Sequence, residues 1–126
     1  MLDFDQTKEA LDEIAAEIPE ELFRELNGGI ILAAEAKPSR ELPGIYTMGE
    51  YHNDRKGFGG LGRYIVIYHG SFIALYGYLQ PQQFKVKLKE TLLHEFTHHI
   101  ESLAGERGLE VEDEKRMVRF RNQFRK

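Results

Sequence analysis

The chain has 126 residues, 41% hydrophobic and 30% charged, and a formal net charge of −4 at pH 7, which suits one globular domain spanning residues 1–126. It contains no cysteine, which excludes disulfides and thiolate metal sites, so any metal would be held by His, Asp or Glu. The amino terminus lacks the pattern of a secretory signal, and no apolar run approaches the roughly 20 residues needed to cross a bilayer, so we expect a cytoplasmic protein with no membrane partner.

The first half of the chain predicts two helices followed by two strands. Apolar residues recur at helical spacing over residues 4–18, and Pro19 separates this helix from a second, short one over 20–26. A β-branched run at 30–34 follows two glycines and predicts a first strand, and residues 45–48 predict a brief second strand.

The second half predicts one strand and three helices, which completes an α+β fold. Residues 64–68 are apolar on both faces, as in a buried strand. Ser71 is placed to cap a short helix over 71–79. A long helix is then expected to begin at Pro81 and to end at Gly105, before a final helix over 109–124.

Two sequence patterns that can mark a ligand-binding site do not indicate one in this chain. GFGGLG at residues 57–62 matches a dinucleotide-binding glycine pattern but precedes a strand, whereas that pattern functions only after a strand and at the start of a helix. Residues 115–126 hold six bases and no acid, but the patch is small, and bases at the end of a helix complement its dipole. We therefore expect no nucleic-acid partner.

The strongest signal is HEFTH at residues 94–98, inside the predicted long helix. Residues four apart on a helix project from one face, so His94 and His98 can bind the same metal ion. Glu95 can reach a water on that metal and take its proton. His99 points towards the apolar side and is expected to pack there. Five apolar residues gather on that inward side: Leu92, Leu93, Phe96, Ile100 and Leu103.

The motif leaves the third metal ligand open. Glu101 lies on the metal face, but it follows His94 by seven residues, so its carboxylate must lean back a whole turn. The alternatives are Glu110, Asp113 and Glu106, which could approach the ion if the chain turned back after the long helix.

The segments IPEEL, IILAAE, LPGIY, YIVIYHGSF and ETLLHEFTHHIESLAG, in this order, resemble the small bacterial zincin-like metallopeptidases, also called minimal zincins. The resemblance spans nearly the whole chain, and HExxHH is its most specific part. It implies a zincin-like α+β fold, with a short mixed sheet, a long HExxH helix and flanking helices. Members with HExxHxxGxxD take their presumed third ligand from the aspartate, but here Glu101 occupies the glycine position and Ala104 the aspartate position.

These observations predict a zinc-dependent peptidase in which a water activated by Zn²⁺ attacks a peptide or unfolded protein and Glu95 acts as general base. If residues 64–68 form an exposed edge, an extended substrate could pair with it through backbone hydrogen bonds. Tyr68 and His69 are the candidate substrate-binding residues, and with Tyr46 and Arg63 they are the candidates for stabilising the oxyanion. The alternative is a catalytically weak zinc-binding zincin scaffold that holds a protein partner.

Overall fold

The computed structural model describes residues 1–54, 62–107 and 117–122 of the protein. A 3-10 helix at Glu20–Phe23 follows the first α-helix, and residues 117–122 are helical. The remaining elements are α1 (Phe4–Glu17), β1 (Gly29–Ala33), β2 (Lys37–Pro38), β3 (Tyr46–Thr47), β4 (Gly49–Asp54), β5 (Gly62–Tyr68), α2 (His69–Tyr76) and α3 (Pro81–Arg107).

Three strands form a small mixed sheet in the order β1-β5-β4. β1 and β5 are parallel, with Ile31 opposite Val66, whereas β4 and β5 are antiparallel, with Tyr51 opposite Ile65. β2 and β3 form a separate antiparallel pair. The predicted α+β class with a short mixed sheet and a long helix is therefore confirmed.

The prediction that residues 64–68 form an exposed edge is wrong. β5 lies between β1 and β4, and both Ile65 and Ile67 are completely buried. A strand with neighbours on both sides has no free edge for a ligand. The edge beside α3 belongs to β4, which the sequence did not predict because Gly49–Asp54 is polar and has no β-branched residue.

The apolar side of α3 packs into the core as predicted. Its buried residues follow the helical period, so they form one continuous stripe. Burying each such side chain contributes roughly 1.5–3 kcal/mol, which fixes the orientation of the helix and turns its opposite side outwards. The stripe consists of Phe84, Leu88, Leu92, Phe96, Ile100 and Leu103.

Two predicted helix boundaries are wrong. α2 begins at His69 without a side-chain cap, and the hydroxyl of Ser71 instead accepts a hydrogen bond from the backbone N–H of Lys37 at 2.9 Å. α3 continues through Gly105 to Arg107. A glycine inside a helix costs only about 1 kcal/mol relative to alanine, less than the packing of the buried stripe contributes.

The predicted final helix can be compared with the structure only in part. Residues 117–122 are helical, and Met117 and Phe120 are buried, whereas residues 108–116 and 123–126 lie outside the described residues. Residues 55–61, which carry most of the GFGGLG pattern, lie outside them too. Within the described ranges, no helix combines the length and the apolar character needed to cross a membrane.

Candidate metal-binding cleft

An open cleft of about 670 Å³ lies between the edge strand β4 and the outward side of α3. The HExxH residues and the polar residues of β4 thus share one cavity, although about forty positions separate them in the sequence. Nine residues line it: Gly49, Glu50, Tyr51 and His52 from β4, and His94, Glu95, His98, Glu101 and Ser102 from α3.

His94 and His98 face each other within this cleft. Their Nε2 atoms lie 3.1 Å apart, and the two rings are nearly perpendicular, at 84°. Two nitrogen ligands of a tetrahedral zinc ion, each bonded at 2.0–2.1 Å, would be separated by about 3.3 Å. The two imidazoles therefore fit a shared zinc ion.

The surroundings of His94 favour the neutral imidazole that a metal requires. Burial lowers the pKa of His94 below its usual 6.5, and the charges of His98 and Arg121 lower it further, against the opposing effect of Glu101. Arg121 is held nearby because its guanidinium donates to the hydroxyl of Thr97 at 3.0 Å. Protons therefore compete less with a metal for His94.

Glu95 is almost completely buried, with 5% of its surface exposed. Burial raises the pKa of its carboxyl above 4.5, and the charge of Glu50 adds to this, while His98 and His52 oppose it. A carboxylate with a raised pKa accepts a proton more readily near neutral pH. Glu95 thus has the environment of a general base.

Two histidines alone do not complete a zinc site. Among residues 1–54, 62–107 and 117–122, no three His, Cys, Asp or Glu side chains form a group that could hold a metal ion. Glu101 lines the cleft but is exposed. The backbone at Glu106 is still helical, but its side chain lies outside the described part of the chain. Glu110 and Asp113 lie outside the described residues.

A polar cluster stands beside the two histidines, formed by Lys37, Glu50, His52 and Tyr68 and here named the Glu50 cluster. Lys37 Nζ donates to both carboxylate oxygens of Glu50 at 2.7 Å. The Tyr68 hydroxyl donates to Glu50 Oε1, and His52 Nε2 lies 3.3 Å from the same oxygen. The carboxylate is therefore held from three directions.

The Glu50 cluster keeps its carboxylate ionised. Burial raises the pKa of Glu50, but the hydrogen bonds from Lys37, Tyr68 and His52 outweigh it and lower the pKa from 4.5 to about 2. The pKa of Tyr68 is raised, by burial first and then by Glu50. Tyr68, a predicted substrate-binding residue, thus directs its hydroxyl at Glu50 and is not among the residues that line the cleft.

His99 is completely buried, which confirms that it packs on the apolar side. Its Nε2–H donates to the carbonyl of Arg24 at 2.8 Å, so its Nδ1 accepts from the Tyr51 hydroxyl, also at 2.8 Å. Arg63 donates to that hydroxyl at 3.3 Å and to Ser102 Oγ at 2.7 Å. Burial lowers the pKa of His99, which keeps the ring neutral. This network ties β4 to α3.

The second predicted substrate-binding residue, His69, lies elsewhere. Its Nε2–H donates to the carbonyl of Leu2 at 2.9 Å, and its ring meets the edge of Phe4. Sequence reasoning did not single out Gly49, Glu50 or His52. The signal that could have found them is the polar composition of GEYHND, because charged and polar side chains are typical of an edge strand.

No protein-family model matches the sequence, and no curated protein matches it. The fold is similar to that of a solved structure, a conserved hypothetical protein from Thermo thermophilus. The two are 36% identical, with a TM-score of 0.72 over 82% of this chain and 98% of that one. The chain belongs to the same family.

Proposed function

We propose that the protein is a zinc-dependent peptidase of the zincin type, with His94 and His98 as metal ligands and Glu95 as general base. One observation carries the proposal: two imidazole nitrogens 3.1 Å apart lie in an open cleft, next to a buried carboxylate whose pKa is raised. Burying a carboxylate costs free energy, so a buried glutamate between the two histidines is not expected on a helix that merely forms part of the protein surface.

Three residues of α3 would have distinct roles in the reaction: His94 and His98 in binding the metal, and Glu95 in transferring a proton. When bound, zinc supplies Lewis acidity that lowers the pKa of a water to about 7 and polarises a peptide carbonyl. His94 and His98 would hold the ion as neutral imidazoles. Glu95 would take the proton of the attacking water and deliver it to the amine that leaves. The burial of Glu95 supports this role, since it raises the pKa of the carboxyl and so favours its neutral, protonated form.

An extended peptide is the substrate that suits this cleft. The backbone N–H of Tyr68 donates to the carbonyl of Met48 at 3.0 Å, so alternate residues of the antiparallel strand direct their backbone groups away from β5. Gly49 and Tyr51 occupy those positions along the open edge. A peptide or an unfolded protein segment could pair there through its own backbone, with little demand on its sequence.

The third ligand remains a prediction. Glu101 leads, because it lines the cleft with the two histidines, and Glu110, Asp113 and Glu106 follow it. The visible absorption of the cobalt form of Glu101→Gln, Glu110→Gln, Asp113→Asn and Glu106→Gln would identify the residue, because loss of one ligand changes the coordination number. We expect one of these four variants to change the spectrum and to weaken zinc binding.

The decisive experiment compares two glutamates on one helix. Glu95→Gln should abolish cleavage of a diverse peptide library while retaining the zinc content of the wild type. Glu90→Gln is the matched control, because the Glu90 side chain is 62% exposed and pairs only with Lys87 among the contacts of the described residues. His98→Ala should lose the metal. An unchanged zinc content in His98→Ala would contradict the site.

A second candidate is a catalytically weak zinc-binding scaffold that holds a protein partner. The peptidase and the scaffold predict different results when peptide cleavage is measured. Zinc-loaded wild-type protein that cleaves no member of a diverse peptide library would favour the scaffold.

A further inference from the structure

Thr97 and Arg121 form a contact beside the two histidines of α3 to which the mechanism above gives no role. The Arg121 guanidinium donates from Nη1 to Thr97 Oγ1 at 3.0 Å, and the Thr97 hydroxyl donates to the carbonyl of Leu93, also at 3.0 Å. A hydroxyl has one hydrogen, so the oxygen is left to accept from Arg121. Thr97 therefore holds one nitrogen of the guanidinium in place.

Helix geometry places this contact across the two histidines from β4. An α-helix turns about 100° per residue, so Thr97 lies about 160° around α3 from Glu95. His98 and His94 lie on the arc between them, at about 60° and 100° from Glu95. β4 contacts α3 at Glu95. The histidines therefore have strand β4 on one side and Arg121 on the other.

The charge of Arg121 acts on the same face of the helix. His94 and Thr97 are three residues apart, which makes them neighbours on the helix surface. A guanidinium held on Thr97 is thus close to the His94 imidazole, and its charge lowers the pKa of that ring, as expected for a nearby cation. Since arginine stays protonated in proteins, the charge is permanent.

Arg121 also has hydrogen-bonding capacity left for a ligand. A guanidinium carries five N–H donors, and among the residues that the structure describes its one hydrogen bond is that to Thr97, with no ion pair. The surrounding segment, residues 115–126, holds six bases and no acid, so it attracts anions. Arginine pairs with a carboxylate through two parallel hydrogen bonds. A carboxylate is therefore the group that suits this side chain.

We propose that Arg121 is a substrate-binding residue that pairs with a carboxylate of the peptide, and that Thr97 is its positioning residue. The inference rests on the proposed peptidase function and adds to it the class of substrate, a peptide with a carboxylate near the bond that is cut. A peptide paired with the open edge of β4 would lie over the histidines, with Arg121 on its other side. The carboxylate comes either from the C-terminus or from an Asp or Glu side chain.

Peptide binding tests the pairing without turnover. Two pairs of random tetrapeptide libraries are compared: free C-terminal acid against C-terminal amide, and internal Asp against internal Asn. Mass spectrometry counts the peptides that zinc-loaded Glu95→Gln retains. One acidic library should be enriched roughly 10–100-fold over its amide counterpart, as expected for a charge-assisted hydrogen bond. The pair that differs identifies the source of the carboxylate. Equal retention within both pairs would overturn the inference.

Variants made in the Glu95→Gln background link the preference to Arg121. Arg121→Gln should remove the preference for the acid and leave retention of the amide unchanged. Arg119→Gln is the matched control, because Arg119 is exposed on the same helical segment and the change in net charge is identical. It should keep the preference. A preference that survives Arg121→Gln, or that is lost equally in Arg119→Gln, would overturn the inference.

Thr97→Val tests the positioning role, because it removes the acceptor and leaves the charge of Arg121 unchanged. It should reduce the ratio of acid to amide retention at least threefold, whereas retention of the amide stays constant. An unchanged ratio would contradict the positioning role of Thr97.

A structural role of Arg121 gives a different result. Met117 and Phe120 are buried and anchor residues 117–122, so Arg121→Gln should keep the urea midpoint of Arg119→Gln. Equal loss of acid and amide retention in Arg121→Gln would show that Arg121 only holds this segment against α3, and would overturn the inference. Cleavage by the wild type is measured separately. Its absence would remove the peptidase function, while a preference for acids in binding would still support the carboxylate site.

Discussion

Gly49 on β4 lies directly against Glu95 on α3: a Cβ added at Gly49 would stand 3.3 Å from Glu95 Cγ. It would also stand 3.1 Å from Thr91 Cγ2 and 3.2 Å from Ile67 Cδ1. A side chain at residue 49 would therefore require these neighbours to shift by a few tenths of an ångström. The same approach covers the carboxylate that we propose as the general base.

Gly49→Ala should destabilise the protein by about 1–3 kcal/mol, because the added methyl group overpacks the contact between strand and helix. It should also lower peptidase activity, since Glu95 has to move. The matched control is Gly105→Ala. Nothing lies within 4 Å of a Cβ at this exposed helical glycine, so alanine there should stabilise the protein by about 0.5–1 kcal/mol. Urea unfolding of the two variants measures both effects, and equal stabilities would contradict the packing argument.

Tyr51→Phe should destabilise the protein by about 1–3 kcal/mol. The substitution removes the hydroxyl that donates to Nδ1 of the buried His99, and a buried acceptor without a partner carries a desolvation penalty. Tyr78→Phe is the control, because Tyr78 is 81% exposed, and it should leave stability within about 0.5 kcal/mol of wild type. Denaturant midpoints at unchanged m-value would report the difference. A Tyr51→Phe protein as stable as Tyr78→Phe would show that the hydroxyl contributes nothing.

Glu50 should make stability depend on pH in the acid range. Its pKa in the folded protein, about 2, is lower than its usual 4.5, so the folded state binds the proton less readily than the unfolded state. The stabilising contribution is therefore complete above about pH 4.5 and is lost as the pH falls towards 2. The difference in free energy of unfolding between wild type and Glu50→Gln should shrink over that interval. A difference that stays constant with pH would contradict the assignment, and Glu41→Gln, with its exposed side chain, serves as control.

Zinc should raise the thermal stability of the protein, because a ligand that binds the folded state alone shifts the unfolding equilibrium. At a hundredfold excess of zinc over Kd the gain is about 2.7 kcal/mol. His98→Ala should show no zinc-dependent rise in Tm, whereas His69→Ala should keep it, since His69 contacts Leu2 and Phe4 away from the cleft. Scanning calorimetry with and without zinc makes the comparison. An equal zinc-dependent rise in both variants would place the metal elsewhere.

Much of the helical structure could be predicted from the sequence. Pro19 marks the end of the first helical region, and the apolar residues of α3 from Leu92 to Leu103 face the core as expected. The helix ends were less predictable. Ser71 and Gly105 are typical of helix boundaries. However, the Ser71 hydroxyl accepts a hydrogen bond from the backbone N–H of Lys37 instead of capping the helix, and α3 continues past Gly105 because its apolar side is packed in the core.

The sheet was harder to predict, because strands are defined by their partners. The sequence of residues 64–68 is compatible with either a central or an edge strand of a sheet. Pairing with both β1 and β4 makes this strand central. β4 was missed because its sequence, GEYHND, contains no β-branched residue and no apolar run.

By itself, the sequence determined that His94 and His98 share a helix face, since four residues make about one turn whatever surrounds the helix. It also determined that Glu95 stands beside them. Only the tertiary structure decided that β4 packs against this helix, that Glu95 is buried beneath Gly49, and that residues of β4 line the same cleft. The reason is that helix geometry depends on neighbouring residues, whereas burial and strand register depend on contacts between segments far apart in the chain.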